Sequence, residues 1–166
     1  MNPSLIHRVA SLYRVYENIL FSCRDILLLA IRLVWGIQLM QTGWGKFHNL
    51  AKVTGFFTEL GIPFPGLNAP FVAGVETFCG LFLAVGLFGR LTPLPIIATL
   101  VVAYATSEQE ALKALISGNP DPFFAAAPFL FLFAAIIIWV FGPGRISLDA
   151  LVGKLTGQKL FSTSGE

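Results

Sequence analysis

The sequence predicts an all-α integral membrane protein, a bundle of four membrane-spanning helices. Hydrophobic residues make up 55% of its 166 residues and charged residues only 12%, whereas soluble domains carry about 25% charged residues. Long apolar runs recur four times along the chain, and one crossing of a bilayer takes about 20 apolar residues. Four crossings with short connections therefore nearly fill the chain, and we expect no separate soluble catalytic domain.

The first 25 residues predict an amphipathic helix that lies along the membrane surface, ahead of the crossings. Charged residues interrupt this segment, so we do not expect a secretory signal peptide. Apolar side chains at helical spacing form one face, which is the pattern of an interfacial helix. The residues on this face are Leu5, Val9, Leu12, Tyr16, Ile19 and Leu20.

The bundle is predicted over residues 26–153, and residues 154–166 are expected to form a flexible cytoplasmic tail. The third apolar run is short for a crossing, so we expect its helix to continue into the polar sequence TSEQEAL. Glycines in the second crossing, at positions 74, 80 and 86, should let neighbouring backbones approach closely. The four predicted crossings cover residues 26–45, 70–89, 93–112 and 122–141.

A short helix is expected on the outer, periplasmic face between the first two crossings. Its apolar residues recur at helical spacing, and Gly61 and Pro63 end it. The apolar positions are Leu50, Val53, Phe56, Phe57 and Leu60.

The distribution of lysine and arginine predicts the orientation of the bundle. Seven of these residues fall on the side that holds both termini and three on the other. Because cytoplasmic loops are enriched in basic residues, both termini are expected in the cytoplasm. The first group is Arg8, Arg14, Arg24, Arg90, Arg145, Lys154 and Lys159, and the second is Lys46, Lys52 and Lys113.

Two ionisable residues, Arg32 and Glu76, lie inside predicted crossings, where a charge is costly and points to function or to an obligatory partner. They could form a buried ion pair that fixes helix pairing. Polar neighbours on the first and third crossings could complete a pocket that binds an amphiphile such as a quinone, or they could simply hydrogen-bond between helices. The candidate ligand-binding residues are Arg32, Gln38, Gln41, Lys46, Glu76 and Tyr104.

Several other chemistries lack the residues that they need. The two histidines, His7 and His48, are predicted on opposite membrane surfaces, so they cannot both coordinate one haem iron. We also expect no metal site. Cys23 and Cys79 belong to no CxxC motif, and no nucleotide-binding, flavin or hydrolase motif occurs. No basic run interleaved with aromatic residues suggests nucleic-acid binding.

Four segments, taken in order, resemble the DoxX/DoxD-like family. They are QTGWGKF at the end of the first crossing, FFTELGIP in the following loop, GVETFCGLFLAVGLFGRLTPL in the second crossing, and FGPGRISLDALV near the end of the chain. The resemblance covers about residues 26–153. The residues of this chain that match motif positions of the family are Arg32, Lys46, Glu76, Ser147 and Asp149.

The resemblance implies a four-helix protein of the bacterial inner membrane, and a subunit of a quinone-linked oxidoreductase is one activity that it suggests. Our first hypothesis is therefore a redox-associated subunit that holds a quinone near Glu76 and Arg32. The second is a noncatalytic anchor or assembly subunit, with a sealed bundle and an Arg32–Glu76 pair. The third is a small transporter. We expect contacts with the lipid bilayer and with other membrane subunits or further copies of the chain.

Overall fold

The computed structural model describes residues 3–156, with side chains from residue 11 onward, and regular structure in this range is entirely helical. Helix α3 contains a π-helical segment at Val75–Cys79. The eight helices of the described range are α1 (Pro3–His48), α2 (Leu50–Glu59), α3 (Pro65–Val85), α4 (Pro93–Thr106), α5 (Gln109–Ile116), α6 (Asp121–Ala125), α7 (Pro128–Phe141) and α8 (Leu148–Thr156).

Helix α1 is longer than the sequence pattern predicts. We expect a surface helix that ends near residue 25 and a separate first crossing, but the helix runs unbroken from Pro3 to His48. No glycine or proline occurs between Pro3 and Gly36 to interrupt it. Side chains 11–24 are exposed apart from the half-buried Glu17. The position of this stretch relative to a membrane stays a prediction.

Two predicted helices are divided in the structure. The helix expected to run through 93–112 ends at Thr106, and α5 starts at Gln109 after a residue, Glu108, with non-helical backbone angles. The expected continuation of the third helix is therefore wrong. The segment 122–141 is likewise split into α6 and α7, because Ala126 is extended. Residues 157–166, which include most of the predicted tail, lie outside the described residues.

Four helices share one apolar core. Helix α1 packs against α3 and α7, and α4 packs against α7 and the π-helical segment of α3. Ala135 and Ile138 of α7 are fully buried in this core. Its buried members are Leu28, Leu39, Leu83, Ile96, Leu100, Ala135 and Ile138.

Glycines allow α1 and α3 to touch backbone to backbone. A methyl group on Gly36 would lie 2.9 Å from the carbonyl oxygen of Gly80, and one on Gly80 would lie 2.5 Å from the backbone nitrogen of Met40. Small residues are used in this way where helices pack closely. Gly74 does not take part, since a methyl group there would meet only the ring of Phe47, at 3.9 Å. Gly86 instead ends α3 with a φ of +72°.

Helix α3 is the one helix of the described range that is long and apolar enough to cross a membrane, by length and composition. It has 21 residues, and α4 and α7 are shorter apolar helices of 14 residues each. Large apolar side chains stand exposed on these helices, among them Phe78, Val101 and Trp139. Such a surface would be unfavourable in water and suits contact with lipid.

Candidate functional site

An ion pair joins the end of α1 to the middle of α3. The Nζ atom of Lys46 donates a hydrogen bond to Oε1 of Glu76 at 2.5 Å. The side chain of Glu76 is 9% exposed and that of Lys46 is 27% exposed, so the lysine is the more accessible partner. Because the carboxylate side of the pair is buried, solvent screens the pair less than it screens a surface ion pair.

Local backbone geometry brings this pair together. A methyl group on Gly43 would lie 2.5 Å from the backbone nitrogen of Thr77, so α1 and α3 are in backbone contact one turn from the pair. Glu76 lies in the π-helical segment Val75–Cys79 and is buried. Single π-helical turns inside α-helices often accompany functional sites. The sequence pattern gives no sign of this turn.

The pair lies in the wall of a cavity of about 560 Å³. The cavity is formed by α2, α3 and α4 together with the end of α1, and its volume falls in the usual range for small-molecule sites. Three aromatic rings, those of Phe56, Phe57 and Phe71, line it. The polar residues of the lining are Lys46, Lys52, Asn68, Glu76, Thr99 and Ser107.

The cavity lining holds more cationic than anionic side chains, and the cations are the more exposed. Lys46 and Lys52 oppose one carboxylate, Glu76, so the lining has a positive formal charge. The second carboxylate oxygen of Glu76, Oε2, is enclosed, and no residue in the described part of the chain hydrogen-bonds to it. A bound molecule therefore meets cationic donors before it meets the buried acceptor.

Only two of the six predicted ligand-binding residues line this cavity, Lys46 and Glu76. Gln38 and Gln41 are exposed on the outward faces of α1. Tyr104 is buried elsewhere, where its hydroxyl donates to the carbonyl oxygen of Phe123 at 2.9 Å and its ring stacks on Phe123. Ligand binding by any of these residues stays a prediction.

Arg32 lies at the other end of the core, and the Arg32–Glu76 pair that we considered is not formed. Arg32 precedes Lys46 by 14 residues, which is about 21 Å along a helix, so Lys46 is the cation beside Glu76. Arg32 is 1% exposed, and its Nη2 donates to the carbonyl oxygen of Ile146. Its Nε and Nη1 have no hydrogen-bond partner among the described residues.

The segment around Arg32 is closed by the carboxyl-terminal residues. Asp149 accepts hydrogen bonds from the backbone nitrogens of Phe88 and Gly89, at 2.9 and 2.7 Å. Asp25 accepts one from the backbone nitrogen of Arg145 at 3.2 Å. We call this end, with Asp25, Arg32, Gly86 and Asp149, the Arg32 end, and the end with Lys46 and the cavity the Glu76 end.

The sequence analysis missed most of the cavity wall. The apolar face of α2 gives a clear signal at helical spacing, and it predicts a short helix on the outer face without assigning it to a cavity. Its residues Val53, Phe56 and Phe57, with Leu60 just beyond it, line the cavity. Periodicity shows that a face is apolar and does not show what it faces. Asn68 lies on α3 and Ser107 follows α4. No sequence pattern identifies either residue as part of the cavity.

The sequence profile of the DoxX family matches residues 27–109, which is half of the chain. This chain belongs to the DoxX family. It is 29% identical over 139 residues to the "Uncharacterized membrane protein Rv3486" of Mycobacterium tuberculosis, a match that covers 76% of this chain and 81% of that protein. It is also 29% identical over 132 residues to the "Putative oxidoreductase CatD" of Bacillus subtilis, covering 78% of this chain and 91% of that one. No solved structure matches.

The DoxX-matched segment contains the Glu76 end almost whole. Lys46, Glu76 and the cavity residues of α2, α3 and α4 all lie between residues 27 and 109. Ser147 and Asp149, which close the Arg32 end, lie beyond it. Within the described part of this DoxX protein, no group of three or more His, Cys, Asp and Glu residues could hold a metal ion.

Proposed function

We propose that this DoxX protein is a redox-associated subunit of the bacterial inner membrane that holds a quinone-like ligand in the cavity at the Glu76 end. The observation that carries the proposal is an apolar, aromatic-lined cavity with a buried lysine–glutamate pair in its wall. Ionisable groups held at this depth in a membrane protein are functional candidates by default. The printed name of one relative, "Putative oxidoreductase CatD", favours redox chemistry over other roles for an amphiphilic ligand.

The residues present fit a quinone. The rings of Phe56, Phe57 and Phe71 suit the flat head group and the start of an isoprenoid tail, and Lys46 can donate to a carbonyl oxygen. When bound, a quinone supplies reversible two-electron, two-proton redox capacity. The chain's own residues bind it, orient it through Lys46 and keep water from the apolar part of the cavity.

The proposal includes a membrane arrangement. Helices α1, α3, α4 and α7 form a four-helix bundle that crosses the bilayer, and both termini lie in the cytoplasm. The cavity then opens in the outer half of the bundle. Trp44, which is 59% exposed beside Lys46, is placed at the outer interface, where tryptophan is enriched.

A second function, that of an anchor or assembly subunit, is favoured by the amino-terminal half of α1. Its side chains between residues 11 and 24 make an exposed, largely apolar helix, including Leu12, Tyr16 and Ile19. Exposed apolar helices commonly bind partner helices or lipid. This role is compatible with a ligand at the other end of the helix.

The experiment that tests the ligand is quantitative extraction. The full chain is purified in mild detergent, and bound quinone is measured by mass spectrometry in wild type and in the double variant Lys46→Met/Glu76→Gln. We expect stoichiometric quinone in wild type and its loss from the variant. Both partners are replaced together, because removing only one leaves an unpaired buried charge.

The matched control is the double variant Glu110→Gln/Lys113→Met. It removes another lysine–glutamate pair, at 2.8 Å, whose side chains are exposed and outside the cavity. It should retain quinone as wild type does. Wild-type protein without quinone, purified together with other membrane proteins in fixed ratio, would contradict the ligand proposal and favour the anchor role.

A further inference from the structure

The polar groups that a ligand can reach in the cavity are mainly hydrogen-bond donors. Lys46 has three N–H donors and no acceptor, and one of the three is directed to Glu76. With 27% of its side chain exposed, the lysine is open to a bound molecule. Lys52, the other cation of the lining, is exposed. Two cationic donors are therefore available to a head group.

The charged acceptor of the cavity is much less available. Oε1 of Glu76 is occupied by Lys46, and Oε2 is enclosed by the wall. Glu76 thus lines the cavity with one carboxylate oxygen paired to Lys46 and the other inaccessible, and it positions the lysine.

The remaining polar side chains of the lining are neutral. Asn68 donates through Nδ2 to the carbonyl oxygen of Pro63, and the hydroxyls of Thr99 and Ser107 donate to carbonyl oxygens of their own helix. Their oxygens keep lone pairs, but hydrogen bonds to neutral groups are about half as strong as those to charged ones. The two lysines therefore dominate the recognition of a head group.

We propose that the cavity selects the oxidised quinone over the reduced hydroquinone, an inference that rests on the proposed function. A quinone carbonyl only accepts hydrogen bonds and matches the ammonium of Lys46. A hydroquinone hydroxyl has a proton to donate, and the accessible wall offers it no charged acceptor. A site with this preference holds the quinone more tightly than the hydroquinone.

The test compares the two redox forms of one compound. Decylubiquinone and decylubiquinol are titrated under anaerobic conditions into the detergent-solubilised full chain by calorimetry. We expect the reduced form to bind about tenfold more weakly, the effect of one charge-assisted hydrogen bond. In the double variant Lys46→Met/Glu76→Gln the ratio of the two dissociation constants should fall towards one. The control Glu110→Gln/Lys113→Met should keep the wild-type ratio.

The outcomes separate this inference from the function on which it rests. Equal binding of both forms, or tighter binding of decylubiquinol, would overturn the selection and leave a quinone site in place. Saturable binding of neither form would contradict the proposed function itself. The wild-type ratio decides the question even if the double variant does not fold, because it compares two ligands on one protein.

Discussion

The two ends of the helical core bury charge in different ways. At the Glu76 end, Lys46 and Glu76 pair beside a cavity of about 560 Å³, and the lysine stays partly exposed. At the Arg32 end, the guanidinium is 1% exposed and the carboxyl-terminal segment folds over it. The buried charges of this chain therefore occur in two settings. Glu76 lies beside a cavity, and Arg32 links α1 to the carboxyl-terminal segment.

The difference arises from what surrounds each charge. Arg32 meets backbone, namely the carbonyl of Ile146 and the turn at Gly86. Glu76 meets a side chain from another helix, and beyond that pair lie the rings of α2 and α3. The contacts around Arg32 enclose its guanidinium, whereas the side chains around Glu76 surround a space.

The largest effect is expected from Gly86→Ala at the Arg32 end. A methyl group there would overlap Nη1 of Arg32, and the φ of +72° disfavours any side chain. Overpacking and the left-handed backbone together should lower the free energy of unfolding by about 4 kcal/mol. Unfolding in detergent measures this change. Gly45→Ala, where the described residues leave open space, is the control and should change little; equal effects would mean that the Arg32 end is not closely packed.

The next largest effect is expected from Lys46→Met at the Glu76 end. Loss of the lysine leaves the carboxylate of Glu76 buried and unpaired, which should destabilise the fold by about 3 kcal/mol. Adding Glu76→Gln should restore most of that loss. A double-mutant cycle measured by unfolding in detergent gives the coupling between the two residues. Additive effects would show that the pair does not act as a unit.

The smallest effect is expected from Tyr104→Phe, which removes a buried hydroxyl outside the cavity lining. The hydrogen bond to Phe123 should contribute about 1 kcal/mol to stability. Because Tyr104 does not line the cavity, the dissociation constant for decylubiquinone should stay at the wild-type value. Calorimetry on the same preparation measures it. Weakened quinone binding would show that Tyr104 contributes to the ligand site.

Part of this architecture is predictable from sequence. Apolar runs predict the helical membrane fold, and the cost of charge in lipid singles out Arg32 and Glu76 among the residues of the crossings. The glycine-rich second crossing predicts the close contact at Gly80, and the spacing of apolar residues predicts α2. Each of these predictions needs only local information, namely the type of a residue and its spacing along the chain.

The partners of these residues are not predictable in the same way. The choice of Lys46 over Arg32 as the partner of Glu76 depends on the contact between Gly43 and Thr77 and on the π-helical segment. The division of the third helix at Glu108 depends on backbone angles that no glycine or proline marks. The partner of Glu76 and the break in the helix depend on tertiary packing, which cannot be read from a single sequence.

The unbroken course of α1 has a structural consequence. Its 46 residues span about 69 Å, more than twice the hydrocarbon thickness of about 30 Å. The exposed amino-terminal half and Lys46 therefore belong to one uninterrupted helix. A molecule bound to that half would contact the same helix that supplies the lysine of the cavity.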